Sequence, residues 1–382
     1  MHKIKPRHII LISTGVFILL AVYLSSKSEI CNSIRRGENI NLLVVGTDIV
    51  DYSRHTDTII FLSYNPKKYF VNIISIPRDT EIDLPGININ RINQIYAYYY
   101  RKEKNYDAAL NALCKEVSVL LDNRVCINQY LQIDYDAFQK LIDLIGGVKI
   151  EIDEPMHYDD NAGNLHIHFS TGIYILNGKN SLEYVRYRTS AGDIGRIYRQ
   201  QQFLRPLVKS LTNPVIIARV PIIIKIMLEN IHTNLTLWDL LNLLLETKSI
   251  NIENVRMALL PGESRRGYWI ANKDEIKHTV DLIYGPDIEL PKTGQVTVEV
   301  YNASQHSGAA LEVTRLLRIK GFDVVKWGNY NTIQKKTIVI DRVGDIRAAQ
   351  KIAGTLQTEE IFTRFDTRRL IDITVIIGED YK

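Results

Sequence analysis

Three short runs of β-branched and aromatic residues lie close together near the start of the chain: INLLVVG from Ile40, TIIFLSY from Thr58 and FVNIISI from Phe70. Each is apolar and bounded by turn-forming residues, so each reads as a buried strand. YDAALNALCKEVSVLL from Tyr106 and YDAFQKLIDLIGG from Tyr135 carry apolar residues at helical spacing, with a strand expected around Asn128–Ile133 between them. Gly146 and Gly147 end the second helix, and VKIEI from Val148 alternates as a strand should. The expected fold class is α/β. Further on, a helix is expected to continue to about Leu211, another to span His232–Leu245, and VRMALLPGES from Val255 to be this domain's last strand. PVIIARVPIIIKIML from Pro214 is broken by Arg219, Pro221 and Lys225, too often for a membrane span, and reads as a buried or membrane-apposed helix.

The 382 residues leave room for two or three domains, and 46% hydrophobic with 24% charged residues describes an ordinary globular chain. A net charge of +4 does not by itself argue for nucleic acid, and no helix-turn-helix is evident. Residues 1–27 start with a basic stretch, Lys3, Lys5 and Arg7, followed by an uncharged apolar run from Ile9 to Ser26. At about 1.5 Å per residue that run just crosses a hydrocarbon core, with the basic end held in the cytoplasm. Without a good cleavage site it reads as a signal anchor, so the rest of the chain lies outside the cytoplasmic membrane. Residues 28–39 form a juxtamembrane linker, 40–283 the large domain, and 284–295 a Pro/Gly-rich linker. Residues 296–382 follow with the order β-α-β-β-α-β, expected to be ferredoxin-like. Of three cysteines, Cys114 and Cys126 form either a disulfide or two buried free thiols.

The chemistry concentrates in SLEYVRYRTSAGDIGRIYRQQQF from Ser181. Arg186 and Arg188 are two apart in a run that reads as a strand, so both point to one face. Asp193 follows a turn and suits a helix cap, and Arg196 and Gln200 share one face of that helix near its anion-attracting end. Converging guanidiniums grip phosphate or pyrophosphate through bidentate pairing. Asp48 reads as the end of the first strand and Asp57 as the opening of the second. Two carboxylates there suit Mg²⁺ or Mn²⁺, since Mg²⁺ takes one or two carboxylates plus phosphate oxygens. Pro77 ends the third strand, aiming Arg78 from its carboxyl end. His166 and His168 share a strand face, but exposed polarity is the better account of them than a metal site.

In order along the chain, VGTD, TDTI, SIPRDT, RIN, LIGGV, LNGKNSLEYVRYR and GDIGRIYRQQQ resemble the LytR-CpsA-Psr family of envelope phosphotransferases, and the tail resembles its C-terminal domain. The resemblance implies a three-layer α/β/α domain with a mixed sheet and an apolar pocket for a polyprenyl tail. It implies transfer of a glycopolymer from a polyprenyl pyrophosphate carrier to a peptidoglycan hydroxyl, at the membrane and without nucleic acid. On the matching positions, Asp48 and Asp57 would hold Mg²⁺, and Arg78, Arg91, Arg186, Arg188, Arg196 and Gln200 would hold the pyrophosphate. Asp193 would either orient an arginine or assist deprotonation of the acceptor. The sequence departs from the family at His55, where an arginine is usual; His55 and the neighbouring Arg54 would then contact the pyrophosphate, with lower affinity unless Arg54 reaches in. Hydrolysis of the same pyrophosphate, or binding without catalysis, would use the same residues.

Overall fold

The computed structural model describes residues 28–50, 53–152, 155–161, 165–187, 192–211, 216, 222–223, 225, 229–246, 249–250, 254–284, 296–364 and 371–381. The expected anchor, most of the 214–228 segment and the 284–295 linker beyond Tyr284 lie outside the described residues.

Helix α1 (Glu29–Arg36) is followed by β1 (Ile40–Val50), β2 (Ser53–Asn65) and β3 (Phe70–Ile76), then α2 (Asn93–Glu103), α3 (Tyr106–Leu120), β4 (Gln129–Asp134) and α4 (Tyr135–Leu144). Next come β5 (Val148–Ile152), β6 (Met156–Asp160), β7 (Leu165–Phe169), β8 (Gly172–Leu176), α5 (Gly178–Arg186) and α6 (Gly192–Leu211). The large domain continues with β9 (Ile231–Thr233), α7 (Leu237–Glu246), β10 (Val255–Leu259), β11 (Gly262–Arg265), β12 (Tyr268–Ala271) and α8 (Lys273–Tyr284). The C-terminal unit holds β13 (Thr297–Asn302), α9 (Ala309–Ile319), β14 (Asp323–Asn329), β15 (Ile338–Asp341), α10 (Ile346–Leu356), β16 (Ile361–Thr363) and β17 (Ile373–Ile377).

Strands β10, β3, β2, β1, β4 and β9 lie side by side in that order. The β1–β2, β2–β3 and β4–β9 pairs are antiparallel, whereas β1–β4 and β3–β10 are parallel, so the sheet is mixed. Alternate residues serve opposite faces. Leu43, Val45, Phe61 and Ile74 pack with Tyr96, Leu110, Leu113 and Val280 of α2, α3 and α8. Ile60, Tyr64, Ile73 and Leu131 pack with Ile30 of α1, Ala137 of α4 and Leu240 of α7. Those two cores make the three-layer α/β/α arrangement.

Several expectations need correction. The Arg186 segment is helical rather than extended: Asn177 accepts the Asn180 N–H at 2.9 Å and starts α5, and Ser181 and Tyr184 bury one face at helical spacing. Residues 231–233 pair with β4, so the helix expected from His232 starts at Leu237. β10 is not the domain's last strand, because the β11–β12 hairpin follows it. The C-terminal unit is not ferredoxin-like. Its order is β14-β13-β17-β15-β16, with β13 beside and parallel to β14 and a fifth strand, β16. A ferredoxin-like sheet would separate the first two strands; here α9 makes a parallel crossover between neighbours. β16 also pairs in parallel with β10 through Ala258 and Thr363, joining both units in one sheet.

The cysteines are free, with Cys31 and Cys114 buried and Cys126 exposed. Burial pushes the Cys114 thiol up to about 12, which keeps it protonated and unreactive. Where α5 meets α4, a Cβ added to Gly178 would stand 2.2 Å from the Gln139 carbonyl oxygen. Gly178→Ala is therefore expected to destabilise the protein by about 1–3 kcal/mol through overpacking. Thermal unfolding checks this; an unchanged midpoint would mean that the two helices slide apart at no cost.

Candidate active site

The site forms where β3 ends beside a break in the β1–β2 ladder. Gly46 faces Thr58 and Thr47 faces Thr56, so Asp57 is an extra residue in β2 and the pair carries a β-bulge. A bulge re-aims the side chain it carries, here a carboxylate at the sheet's rim. Gly46 suits this crossing, since a Cβ there would meet the Thr58 Cβ at 2.9 Å. Thr56, fully buried, donates to the Asn93 carbonyl at 3.1 Å and ties the start of β2 to α2. Asp48 and Asp57 are thus not at strand termini: β1 runs on to Val50 and β2 starts at Ser53. The arm beyond the bulge pairs Asp48 with His55 and Ile49 with Arg54.

Arg78 follows β3 directly after Pro77, and its Nη1 lies 2.5 Å from Asp57 Oδ1. Its Nε lies 3.7 Å from Asp79 Oδ2, and Arg91 Nη1 reaches Asp79 Oδ1 at 3.0 Å. The result is a line of alternating charge, Asp57, Arg78, Asp79, Arg91, and the Arg91 guanidinium also sits 4.8 Å over the Tyr268 ring. Helix α6 supplies the other wall. Arg196, 5% exposed, donates from Nη2 to the Asp57 carbonyl at 3.2 Å, and Gln200 donates to the Thr58 hydroxyl at 3.2 Å. Their four-residue spacing brings both to the bulge. Gln201 donates to the Ser75 hydroxyl at 3.3 Å and holds α6 against β3.

Asp57, Arg78, Arg91, Arg196 and Gln200 are therefore brought together. Arg186 has its guanidinium 4.7 Å over the ring of Tyr135, the residue after Asp134, whose strand position faces Thr47. The side chains of Asp48, Arg54, His55 and Asp193, and the whole of Arg188, lie outside the described residues. Asp79 and Thr58 were missed from sequence as site residues, although both stand inside the quoted motifs. So was a buried chain under the rim, in which Tyr96 donates to Gln132 at 3.0 Å and Gln132 donates to Thr47 at 3.0 Å.

Among the described residues, no group of three or more His, Cys, Asp and Glu side chains forms a metal cage. That does not conflict with Mg²⁺, which needs few protein ligands when phosphate oxygens complete its shell. The Asp57 carboxylate, raised by the bulge beside arginines that suit those phosphates, fits such an ion. His166 and His168 both contact Asp159, at 2.8 and 3.0 Å, on the exposed β6–β7 hairpin. The His166 hydrogen bond, with His168 behind it, holds the Asp159 carboxyl below its usual range.

An α/β/α sheet whose rim gathers guanidiniums around a bulged carboxylate defines an anion-gripping site of a particular class. The chain belongs to the LytR_cpsA_psr family, whose model matches residues 18–282. Residues 295–381 match a second model, described as LytR cell envelope-related transcriptional attenuator. Among curated relatives, the polyisoprenyl-teichoic acid–peptidoglycan teichoic acid transferase TagV of Bacillus subtilis (strain 168) is 28% identical over 228 residues, 56% of this chain and 55% of TagV. TagU of the same organism, which carries the same transferase description, is 28% identical over 60% of this chain and 71% of TagU. The regulatory protein MsrR of Staphylococcus aureus (strain Mu50) is 29% identical over 53% of this chain and 58% of MsrR. The chain spans little more than half of TagV's length. The crystal structure of B. subtilis TagV superposes with a TM-score of 0.54 at 22% identity, covering 65% of this chain and 97% of that one. A structure of TagT bound to LIIa-WTA gives 0.51 at 21%, covering 65% and 91%. These likenesses establish a shared fold.

Proposed function

We propose that this protein transfers a glycopolymer from a polyprenyl pyrophosphate carrier to a hydroxyl of peptidoglycan. The observation that carries the reading is the pairing of Arg78 with the bulged Asp57 at 2.5 Å, with Arg196 bound to the same residue's backbone. Phosphoryl transfer asks a protein mainly for charge neutralisation and in-line positioning, which this array suits. The transferase descriptions of TagV and TagU support the same chemistry.

In the reaction, the acceptor oxygen forms a bond to the phosphorus bearing the glycan. The bond from that phosphorus to the bridging oxygen breaks, polyprenyl monophosphate leaves, and the hydroxyl proton goes to Asp193 or to solvent. Arg78 and Arg196 bind the non-bridging oxygens, with Arg91, Arg186 and Arg188 around them. Gln200 and Gln201 hold α6 in register with the strands, and Arg54 and His55 stand on the arm beside the rim. Asp57, with Asp48, would hold Mg²⁺, which when bound neutralises phosphate charge. Residues 1–27, as a signal anchor with a cytoplasmic basic end, would set the site at the outer membrane–water boundary, within reach of a carrier lipid.

The test is transfer by the full chain in detergent, supplied with polyprenyl-pyrophosphate-linked glycan, a peptidoglycan oligomer and Mg²⁺. Mass spectrometry should find glycan joined to the oligomer through one phosphate, with polyprenyl monophosphate released, and chelation of the metal should stop both. Release of polyprenyl monophosphate with no attachment would instead make the protein a hydrolase. Carrier binding with neither product would leave a binding protein.

A further inference from the structure

Between α6 and the C-terminal unit runs a cleft of about 1430 Å³, well beyond the several hundred cubic ångströms usual for a small ligand. One wall belongs to the large domain and includes Lys149 of β5 and Arg199 of α6; the other carries Lys335, Lys336, Arg347 and Lys351 of the C-terminal unit. Among the described residues, those six cations face three carboxylates, Glu151, Glu359 and Glu360. Lys336 accounts for two of the three, lying 3.2 Å from Glu151 and 3.6 Å from Glu360, and so bridges the walls. Arg347 and Lys351 are exposed, one turn apart on α10. Arg199 lies between two rings, 5.3 Å over Tyr184 and 4.9 Å over Tyr187, which fix its guanidinium toward the cleft while its Nη1 meets the Met156 sulfur at 3.6 Å. Arg199 is also three residues past Arg196, so the cleft begins about one helical turn, roughly 5 Å, from the pyrophosphate wall.

We propose that this cleft holds the anionic, phosphate-bearing stretch of the glycopolymer, and that the C-terminal unit is the clamp that closes over it. The inference rests on the transferase reading for the identity of the polymer. Charge complementarity selects the occupant. A net-positive trough between two low-dielectric walls concentrates an anionic chain, and its lysines make point contacts along a repeating backbone instead of one fixed headgroup. A neutral glycan would gain little from six cations, and a polyprenyl tail would have to desolvate them. Extending the sheet through β16 sets the second wall opposite the first.

Binding can be read apart from transfer. Fluorescence anisotropy with a labelled poly(glycerol phosphate) oligomer, which has no lipid and no pyrophosphate, should show binding by the full chain that weakens as salt rises. The triple variant Lys335→Glu, Arg347→Glu, Lys351→Glu should bind at least about tenfold more weakly, whereas Arg315→Glu, a single reversal at an exposed position of α9 away from the cleft, should not. Neutral dextran should not bind. Absent binding, equal binding by the triple variant, an equal loss in Arg315→Glu, or equal affinity for single-stranded DNA of matched charge would each overturn the clamp. Binding that behaves as expected in a protein that transfers nothing would leave the clamp standing and remove the transferase reading.

Discussion

Replacing Arg78 by Ala is expected to lower glycan transfer by about 10²–10³-fold, the loss typical of removing one fixed donor to developing negative charge. Folding should survive, because Arg78 and Asp57 are both partly solvated, with side chains 23% and 20% exposed. The pair is more covered than a surface salt bridge, so a modest fall in the thermal midpoint is expected, limited by the water that still reaches the abandoned carboxylate. Arg78→Lys should recover only a small part of the rate. A point ammonium does not reproduce the fork that meets Asp57 on one nitrogen and approaches Asp79 with another. Asp57→Asn separates two roles of the carboxylate. It keeps an oxygen for Arg78 but gives up the charge that Mg²⁺ would need, so transfer should fall as far as in Arg78→Ala while carrier binding persists. Transfer measured beside carrier binding and a thermal midpoint decides the matter. Full activity in Arg78→Ala, with an unchanged midpoint, would remove the rim from the chemistry.

Much of this site could be read from residue order. SIPRDT announces a strand stopped by proline with an arginine thrown past its end, which is how Arg78 sits. Arg196 and Gln200 are four apart on a helix, and both reach the bulge. The bulge was not legible, because it depends on which residues of β1 and β2 face each other, and nothing near Asp57 encodes that register. The alternation in YVRYR suggested a strand, but the Asn177 cap and the buried face of Ser181 and Tyr184 favour a helix, and the tertiary contact with α4 decides. In the C-terminal unit, β16 is three residues long and is stabilised by neighbours on both sides, β15 and β10. A strand that exists because of non-local pairing leaves almost no periodic signal. The cleft between the units was invisible for the same reason, since its two walls come from segments far apart along the chain.

Arg256→Met is expected to destabilise the protein by about 3–5 kcal/mol at neutral pH, the cost of stranding a buried charge. Arg256 lies on β10 under the junction between the units, bonded to Asn72 at 3.3 Å and to the Gly344 carbonyl at 2.5 Å, with Phe70 5.4 Å beneath it. Its counter-charges are Asp341, which is wholly buried and the stronger of the two, and Asp345. Burial pushes the Asp341 carboxyl up from 3.8 to about 6, against the opposing pull of Arg256 and the Gly344, Val343 and Thr363 hydrogen bonds. A carboxyl raised on folding favours the folded state when protonated. That contribution is complete below pH 3.8 and is lost as pH rises through about 6. The rise from 3.8 to about 6 corresponds to about 3 kcal/mol. Without Arg256 the carboxyl rises further, so the variant's deficit should be largest at pH 7–8 and shrink toward pH 5, where Asp341 takes up a proton. Asp341→Asn keeps an oxygen for the Val343 and Gly344 amides and carries no charge, so adding it to Arg256→Met should recover much of the loss and flatten the pH dependence. Chemical denaturation of the single and double variants at pH 5 and pH 7.5 forms the required cycle. A deficit that is equal at both pH values, or a double variant no better than the single, would mean that Arg256 acts through packing on Phe70 and not through Asp341. With the junction weakened, the C-terminal wall of the cleft would part from β10. Polymer binding should then fall together with stability at pH 7.5 and recover with it in the double variant, linking the buried pair to the clamp it supports.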